Sequence, residues 1–472
     1  MTEQPGTVAR AALALTEWTE RWVPDAFIFA LMATVLVIAA ALTATPATLM
    51  QTVDAWGRGF WDLIPFTLQM ALVIITGHVL ASSPPMGRVI RAIAGWPKTP
   101  RSAVALVAFF ALTASWFNWG FSLVFSAVLA IEVARRVEGV DYRALAAASM
   151  LGLGSIWAQG LSGSAALQMA TPGALQPAIR DIVAHGGLVA GGLIPFRHTI
   201  FLWQSFTAVA VEIAVVVLVM YLATPPLGRG KTARDLGIDL GQTELRTENL
   251  ELRTTTPGQW LEQSPVLMWF VVALGGAYLA RYFWLSDEPL NALNLNILNL
   301  AFLLLGFLLH GTPARLMRAV QEATPAVWGV ILQFPFYAGI AGVIIATHLN
   351  ERVAGLFVRA STPATFPALV ATYSAVLGVF VPSGGSKWVI EAPYVMEAAH
   401  TMKVHLGWVV SSYDLGEALA NLLQPFWMLP ILGLFKLSAR DVMGYTIVVF
   451  LALTPVVLVL VTVLGLTLAY PL

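Results

Sequence analysis

The sequence predicts an all-α polytopic membrane protein made of two inverted repeats, each with a re-entrant helical hairpin and a broken transmembrane helix. The 472-residue chain is 58% hydrophobic and only 11% charged, whereas an ordinary soluble domain carries about 25% charged residues. Apolar runs of about 20 residues, the length of a transmembrane helix, recur from end to end. Four further apolar stretches are interrupted near their middles, at positions that repeat between the two halves.

Composition also excludes several classes of site. The chain has no cysteine, so disulfides, cysteine metal sites and a thiol nucleophile are excluded. Its formal net charge is zero, which gives no support to a nucleic-acid partner. No His/Asp/Glu spacing is typical of a metal site, and no Ser-His-Asp pattern is present. We therefore predict no metal, no catalytic residues and no cofactor other than a coupling ion, a proton or Na⁺.

The continuous elements follow one another in a simple order. Residues 1–24 have helical periodicity with charged interruptions, which predicts an interfacial amphipathic helix. Residues 224–264 are polar and too poor in apolar residues to form a core, so they are predicted to be a linker between a first repeat, 25–223, and a second, 265–472. Seven continuous spans are predicted at about 25–45, 62–83, 196–223, 265–285, 293–311, 324–347 and 442–470.

The interrupted stretches are longer than a simple span and contain Gly, Pro or polar residues. Non-helical backbone at membrane depth is tolerated only where it is buried in protein or lines a cavity. The pattern predicts hairpins at 102–134 (broken at "FNWG") and 364–398 ("VPSGGS"), and broken spans at 144–175 ("AQGLSGS") and 405–436 ("NLLQPFW").

The breaks keep the same spacing in both halves. Gln69 in "LQM" and Gln333 in "LQF" are 264 residues apart, and Asn118 and Pro382 are separated by the same distance. Few residues are identical at this offset, so the internal repeat is predicted from the matched breaks. Gln69 and Gln333, which take matching positions, are candidates for a gate.

The distribution of positive charge predicts the orientation. If both hairpins return to the side they entered from, 18 of the 26 Lys and Arg residues fall in cytoplasmic segments and seven in outer segments. This bias satisfies the positive-inside rule. It predicts a cytoplasmic N-terminus, a cytoplasmic linker, a periplasmic C-terminus and opposite orientations for the two hairpins.

The hairpin tips are candidate anion sites. A helix that leaves a tip offers N–H groups and a partial positive charge at its N-terminus. Asn118 can cap the helix of the first hairpin and Ser383 or Ser386 that of the second, and glycines there allow close backbone approach. Aromatic residues near the breaks can wall a small apolar compartment, so the pattern favours a transporter of a small anion with a short apolar tail. The candidate substrate-binding residues are Asn118, Trp119, Gly120, Ser162, Gly163, Ser164, Ser383, Gly384, Gly385, Lys387 and Gln424.

Lys387 is the one cation placed inside the membrane, where it costs at least about 2.5–3.5 kcal/mol without a partner. Glu391 lies four residues on, on the same helical face. Two interpretations stay open. In one, the two residues form a structural ion pair. In the other, Lys387 attracts a substrate carboxylate or stands where a coupling cation would otherwise bind. The two can also alternate, with the substrate competing for Lys387 while a proton neutralises Glu391.

Other ionisable residues in apolar stretches fall into two groups. Asp414 and Glu417 are candidates for a proton relay; the alternative is solvation at the membrane interface, which the sequence favours slightly for Asp414. Glu212 is interpreted as part of a scaffold pair, and His78 and His310 as structural histidines.

These motifs together resemble one family, the bacterial short-chain fatty acid transporters, nearly end to end. The resemblance rests on "RWVPDAFIFALMATVL", "LQMALVIITGHVLASS", "NWGFSLVFSAVLAIEVARRV", "LSGSAALQMATPG", "LLLGFLLHGTP", "LQFPFYAGI", "VPSGGSKWVIEAP" and "QPFWMLPILG". It implies uptake of butyrate, acetoacetate and similar monocarboxylates across the bacterial inner membrane. The chain also resembles the broader ion transporter superfamily, which implies an elevator-type transporter whose hairpins move against a static homodimeric scaffold. The family's site falls on Asn118, Ser162, Gly163, Ser383, Gly384 and Gln424.

Two alternatives remain at the level of the sequence. The first is a carrier of another small ion, such as a dicarboxylate carrier or a Na⁺/H⁺ antiporter. A dicarboxylate site should have more than one basic residue at the midplane, and an antiporter should have paired carboxylates at the crossing. The second is a membrane-embedded enzyme, which would need a nucleophile or an acid/base pair near one membrane face.

Overall fold

A computed structural model describes residues 26–225, 230–240, 256–286, 292–380, 384–424 and 427–472. This part of the chain consists of α-helices, short 3₁₀ turns and connecting segments, and contains no β-strand. The amphipathic helix predicted for residues 1–24 and the candidate site residue Ser383 lie outside these ranges.

The first half begins with a long helix, a short helix and a second long helix, followed by a helical hairpin. The pieces of a broken span and a final long helix complete it. Its helices are α1 (Ala26–Ala44), α2 (Leu49–Gly59), α3 (Ile64–Ala81), α4 (Pro84–Ile93), α5 (Pro100–Phe117), α6 (Trp119–Arg136), α7 (Tyr142–Met150), α8 (Ser164–Ala170), α9 (Pro177–Ala184) and α10 (Trp203–Ala223).

The second half repeats this succession after a short helix in the linker and a long helix that follows it. Its helices are α11 (Pro257–Gln263), α12 (Val266–Trp284), α13 (Leu295–His310), α14 (Pro313–Ala323), α15 (Trp328–Ala346), α16 (Leu349–Ala360), α17 (Phe366–Phe380), α18 (Gly384–Met402), α19 (Leu406–Ala420), α20 (Leu429–Phe435) and α21 (Ala439–Gly465).

The helix bounds recur at the offset found in the sequence. Adding 264 to the bounds of α2 gives 313–323, which are the bounds of α14, and adding it to the start of α3 gives 328, the start of α15. The starts of α7 and α19, 142 and 406, are related in the same way. The opposite orientation of the two halves in a membrane stays a prediction.

Six described helices are long and apolar enough to cross a membrane: α3, α5, α10, α12, α15 and most of α21. Four of them lie within predicted spans, α21 overlaps the span predicted at 442–470, and α5 is the first arm of the predicted hairpin. The span predicted at 196–223 is too long at its start, because Pro195 is followed by a 3₁₀ turn over 196–198 and helix α10 begins only at Trp203.

The first hairpin reverses direction at a single residue. Asn118 has an extended backbone (φ −158°, ψ 122°) that ends α5, and its side-chain Oδ1 accepts a hydrogen bond from the N–H of Phe121 at 2.8 Å, which caps α6. The arms α5 and α6 pack against each other. In the second hairpin, α17 ends at Phe380 and α18 starts at Gly384.

The linker is attached to the first half at Lys231. The N–H of Lys231 donates to Asp141 Oδ2 at 3.1 Å, and the N–H of Tyr142 donates to the carbonyl of Lys231 at 2.9 Å. Asp141 also caps α7 through the N–H groups of Arg143 and Ala144. One carboxylate therefore joins the linker to the start of the broken span.

Helix α19 occupies the centre of the molecule. All 15 of its residues are buried, and it packs against α8, α17, α18 and α21. In contrast, Met268 is the one buried residue of α12. A helix that is apolar on all sides and exposed on nearly all of them faces lipid or another chain.

Close contacts between small residues set the crossing of α2 and α15. A Cβ added at Gly342 would lie 2.7 Å from the carbonyl oxygen of Ala55. Because that atom belongs to the backbone, the two helices would have to separate to admit a methyl group.

We expect Gly342→Ala to lower the free energy of unfolding by about 1–3 kcal/mol, the usual cost of overpacking. The measurement is the thermal unfolding midpoint of the purified protein in detergent. Gly355→Ala in α16 is the control, because a Cβ there meets nothing within 4 Å. Equal midpoints for the two variants would contradict the close crossing.

Candidate functional site

The four interrupted segments meet in the described structure. The N–H of Trp119, at the tip of the first hairpin, donates to Ser162 Oγ at 2.9 Å. The Nδ2 group of Asn421 donates to the carbonyl of Leu153 at 2.9 Å. Gln168 Nε2 donates to the carbonyl of Gly385 at 2.8 Å. Hydrogen bonds thus join the first hairpin to the first broken span, and that span to both the second broken span and the second hairpin.

A narrow cavity lies where these segments meet. About 30 Å³ is open to the centres of water molecules, and one water needs roughly 10–15 Å³ on this measure. A substrate of several heavy atoms therefore requires the surrounding side chains to move. The cavity is lined by Met70 and Ile74 of α3, Val330 and Phe334 of α15, and Trp119, Leu153, Trp157, Ser164, Gly384, Gly385, Asn421 and Trp427.

Four of the predicted site residues line this cavity: Trp119, Ser164, Gly384 and Gly385. The ring centroids of Trp119 in the first hairpin and Trp427 in the second broken span lie 5.2 Å apart. A Cβ at Gly384 would lie 2.9 Å from the Trp157 ring. The lack of a side chain at Gly384 therefore leaves room for this aromatic wall.

Other predicted residues support the site from behind. Asn118 and Ser162 are each 1% exposed, and both hold the tip of the first hairpin through its backbone N–H groups. Gly163 allows a tight turn, since a Cβ there would lie 2.0 Å from the carbonyl of Ala158. Gly120 is close-packed, with its Cβ position 3.3 Å from Asn118 Oδ1. Gln424 donates to Asn421 Oδ1 at 2.6 Å.

The two glutamines proposed as a gate flank cavity residues Met70 and Phe334 in sequence. Gln69 Nε2 donates to Asn296 Oδ1 of α13 at 2.6 Å, and its carbonyl accepts from Asn299 Nδ2 at 2.8 Å. Gln333 is 5% exposed. Gln69 is thus anchored to α13, and a gating role stays a prediction.

Lys387 is the centre of a buried charge cluster. Its Nζ lies 3.0 Å from Glu391 Oε1, which confirms the predicted contact, and 2.9 Å from Glu417 Oε2. It also donates to the carbonyl and to the hydroxyl of Ser374, at 3.0 and 2.6 Å. The Tyr413 ring centroid is 4.2 Å away. Lys387, Glu391 and Glu417 are each at most 1% exposed, so this charge is paired entirely within the protein.

This cluster adjoins the cavity without lining it. The Tyr413 hydroxyl donates to the carbonyl of Gly384 at 2.5 Å, and the Cγ of Glu417 lies 3.1 Å from the Cβ position of Gly384. Gly384 is therefore the link between the ammonium group and the cavity wall.

The interpretation of Asp414 as an interfacial, solvated group is wrong. Its side chain is 1% exposed, because α19 is surrounded by helices on all sides. Asp414 Oδ2 accepts the N–H of Ala166 at 3.3 Å. A carboxylate of the protein thus takes the first turn of α8, a position where a helix attracts negative charge.

Several residues that the sequence analysis missed belong to the site: Gln168, Ser374, Tyr413 and Asn421. Asn421 stands in the quoted break "NLLQPFW", so its position alone was a usable signal. Ser374 and Tyr413 look like ordinary polar residues of apolar helices, and only their packing against Lys387 distinguishes them.

Each of the remaining ionisable candidates has a polar partner from another part of the chain. Glu212 is 1% exposed and accepts from Gln159 Nε2 at 2.7 Å, so its partner is an amide of the first broken span. His310 Nε2 lies 2.7 Å from the carbonyl of Val79, and His78 is 4.0 Å from Glu322. Within the described ranges, no group of three or more His, Asp or Glu residues is placed to hold a metal ion.

Residues 7–465 match the family described as short chain fatty acid transporter. A protein of Escherichia coli (strain K12) named "Putative short-chain fatty acid transporter" is 38% identical over 444 residues, which cover 94% of this chain and 97% of that protein. A relative of the same name from Haemophilus influenzae is 34% identical over 452 residues, covering 96% and 99%.

Two solved structures share the fold at low sequence identity. The YdaH transporter of Alcanivorax borkumensis, described as having an unusual topology, superposes with a TM-score of 0.60 at 15% identity over 94% of this chain and 97% of that one. MtrF of Neisseria gonorrhoeae, described within a class of antimetabolite efflux pumps, gives 0.59 at 14% identity over 98% of both chains.

We expect Ser162→Ala to destabilise the protein by about 1–3 kcal/mol, because the buried N–H of Trp119 loses its acceptor. The thermal unfolding midpoint in detergent measures the change. Ser412→Ala is the control, because that hydroxyl is also buried but only donates to a carbonyl of its own helix, at 2.8 Å. An equal loss in both variants would show that Ser162 does not hold the hairpin tip.

Proposed function

Because this chain belongs to the short chain fatty acid transporter family, we propose that it takes up butyrate, acetoacetate and similar monocarboxylates together with protons. The family assignment is that of a transporter rather than of an enzyme, and the apolar helices are those of a multi-pass membrane protein. The observation that carries the proposal is the cavity between the four interrupted segments.

The walls of the cavity suit a short apolar tail with an anionic head. Aromatic and aliphatic side chains supply most of its lining, including Trp119, Trp157 and Phe334. The start of α18, at Gly384 and Gly385, forms another part of the wall. The N–H groups in the first turn of a helix lack partners within the helix and favour an anion. The carboxylate would bind there, with its tail against the aromatic wall.

The charges next to the cavity favour a monocarboxylate over a dicarboxylate. Lys387 lies behind the wall at Gly384, and in this state it is already paired with Glu391 and Glu417. None of the described residues that line the cavity is a cation, so a second carboxylate of the substrate would be buried unpaired there, which is costly. The cavity is therefore suited to a substrate with a single negative charge.

The same charge cluster provides a place for a coupling proton. The Lys387 ammonium group faces two carboxylates, Glu391 and Glu417. If all three groups were ionised, the buried cluster would carry one unpaired negative charge. A buried unpaired charge is expensive, and one proton on Glu391 or Glu417 would remove it. Because Glu417 touches the Gly384 wall, binding of a substrate anion beside it would favour that proton.

The remaining parts of the proposal concern movement and placement. The two hairpins and the two broken spans share one set of hydrogen bonds, which supports their movement as one body in an elevator mechanism. The exposed apolar helix α12 belongs to a scaffold that would form a homodimer. The protein would lie in the bacterial inner membrane with a cytoplasmic N-terminus and a periplasmic C-terminus.

The direct test is uptake of labelled butyrate by proteoliposomes, with the interior more alkaline than the medium. We expect saturable uptake that exceeds the uptake of protein-free liposomes and falls when an ionophore collapses the pH gradient. Protein-free liposomes are essential, because neutral butyric acid crosses lipid without a carrier. Absence of saturable uptake for every monocarboxylate from two to six carbons would reject the proposal.

A second prediction separates binding from coupling. Glu417→Gln keeps the shape of the side chain without its charge, so Lys387 remains paired with Glu391. We expect exchange of labelled for unlabelled butyrate to continue, while accumulation driven by the pH gradient falls by more than about tenfold, as for a lost proton carrier. Glu138→Gln, at an exposed carboxylate, is the control. Unchanged accumulation in Glu417→Gln would exclude Glu417 as the carrier.

A further inference from the structure

We propose that the Lys387 ammonium group is a tethered cation that permanently fills a site built for a monovalent cation, so that this state needs no free Na⁺ or K⁺. The inference rests on the proposed function where it concerns transport. The cation site itself is argued from contacts alone, and it can be tested without a substrate.

The surroundings of Lys387 Nζ resemble the ligand set of a small hard cation more than a simple ion pair. Four oxygen atoms lie between 2.6 and 3.0 Å from the nitrogen: a backbone carbonyl, a hydroxyl and one oxygen of each of two carboxylates. The aromatic face of Tyr413 lies 4.2 Å away, and such faces attract cations. Oxygen ligands of these kinds are those that hard cations prefer.

The ligands come from three different helices. Ser374 belongs to α17, Glu391 to α18 and Glu417 to α19. The first two helices are the arms of the second hairpin, and the third is the first half of the broken span. The Lys387 ammonium group therefore holds the second hairpin against α19. A bound ion would do the same, but here the ion is part of the chain.

A plain structural ion pair would leave two features of the cluster unexplained. One carboxylate is enough to pair one ammonium group, yet Glu391 and Glu417 are both within 3.0 Å. The second oxygen of each carboxylate, Glu391 Oε2 and Glu417 Oε1, has no hydrogen-bond partner in the described part of the chain. The cluster thus has more oxygen ligands than Lys387 uses, which is the composition of a cation site.

The experiment removes the tether and offers free cations. Lys387→Ala leaves the oxygen ligands around the space that the lysine side chain vacates. Its thermal unfolding midpoint in detergent is measured against ammonium, potassium, sodium and choline chloride at constant ionic strength. We expect a saturable rise with the small cations, about 1–2 °C at a tenfold excess over half-saturation, and none with choline. The wild-type midpoint should be the same in all four salts.

Three matched variants define the controls. Lys98→Ala removes an exposed lysine and should respond to no particular cation. Lys387→Met combined with Glu391→Gln and Glu417→Gln removes all charges of the site and should lose the cation effect. Lys387→Ala combined with Glu391→Gln keeps one carboxylate and should fold even if Lys387→Ala does not, with a weaker response to small cations.

Two results would overturn the inference. One is a saturable dependence of the wild-type midpoint or of wild-type butyrate uptake on Na⁺. The other is a lack of selective cation response in both variants that vacate the site. If small cations stabilise these variants but no monocarboxylate is transported, the cation site stands and the proposed substrate fails. If wild-type uptake occurs but requires Na⁺, the proposed substrate stands and the tethered cation fails.

Discussion

Backbone groups at interrupted helices must find hydrogen-bond partners inside the protein, because lipid offers none. In this chain the breaks satisfy one another. Ser162 accepts the N–H of Trp119, Asn421 donates to the carbonyl of Leu153, and Gln168 donates to the carbonyl of Gly385. Each bond joins two interrupted segments, so none of them can take its place alone. This mutual requirement brings the four segments to one point, and the cavity is the space that remains between them.

The second constraint is the burial of charge. A lysine at less than 2% exposure is tolerated because oxygen ligands surround it, and two carboxylates are tolerated because that lysine lies between them. Removing one charged partner from such a cluster destabilises a protein far more than replacing the whole cluster with apolar side chains. Ion pairs and hydrogen bonds of the Lys387 ammonium group therefore fix α17, α18 and α19 relative to one another, and Tyr413 fixes the start of α18 at the wall of the cavity. Stability and the shape of the binding site depend on the same atoms.

Sequence reasoning located best the segments whose conformation is set by neighbouring residues. Asn118 ends one helix and caps the next, so a hairpin tip could be placed there from residue type alone. The span at 196–223 was placed less well, because its apolar character continues through a segment that Pro195 directs into a 3₁₀ turn. Hydrophobicity marks what is buried or faces lipid, but it does not mark where a helix starts.

For the candidate site, the sequence by itself determined the positions of the breaks, the polar residues within them and the placement of Lys387 and Glu391 on one helical face, because each depends on neighbours within one helix turn or one tight turn. Only the tertiary structure decided that Glu417, Ser374 and Tyr413 complete the cluster, that Asp414 is buried against α8, and which residues line the cavity. The physical reason is that helical periodicity reports which side chains share a face. It carries no record of which distant helix that face will meet, and the buried ionic contacts of this protein are made between such faces.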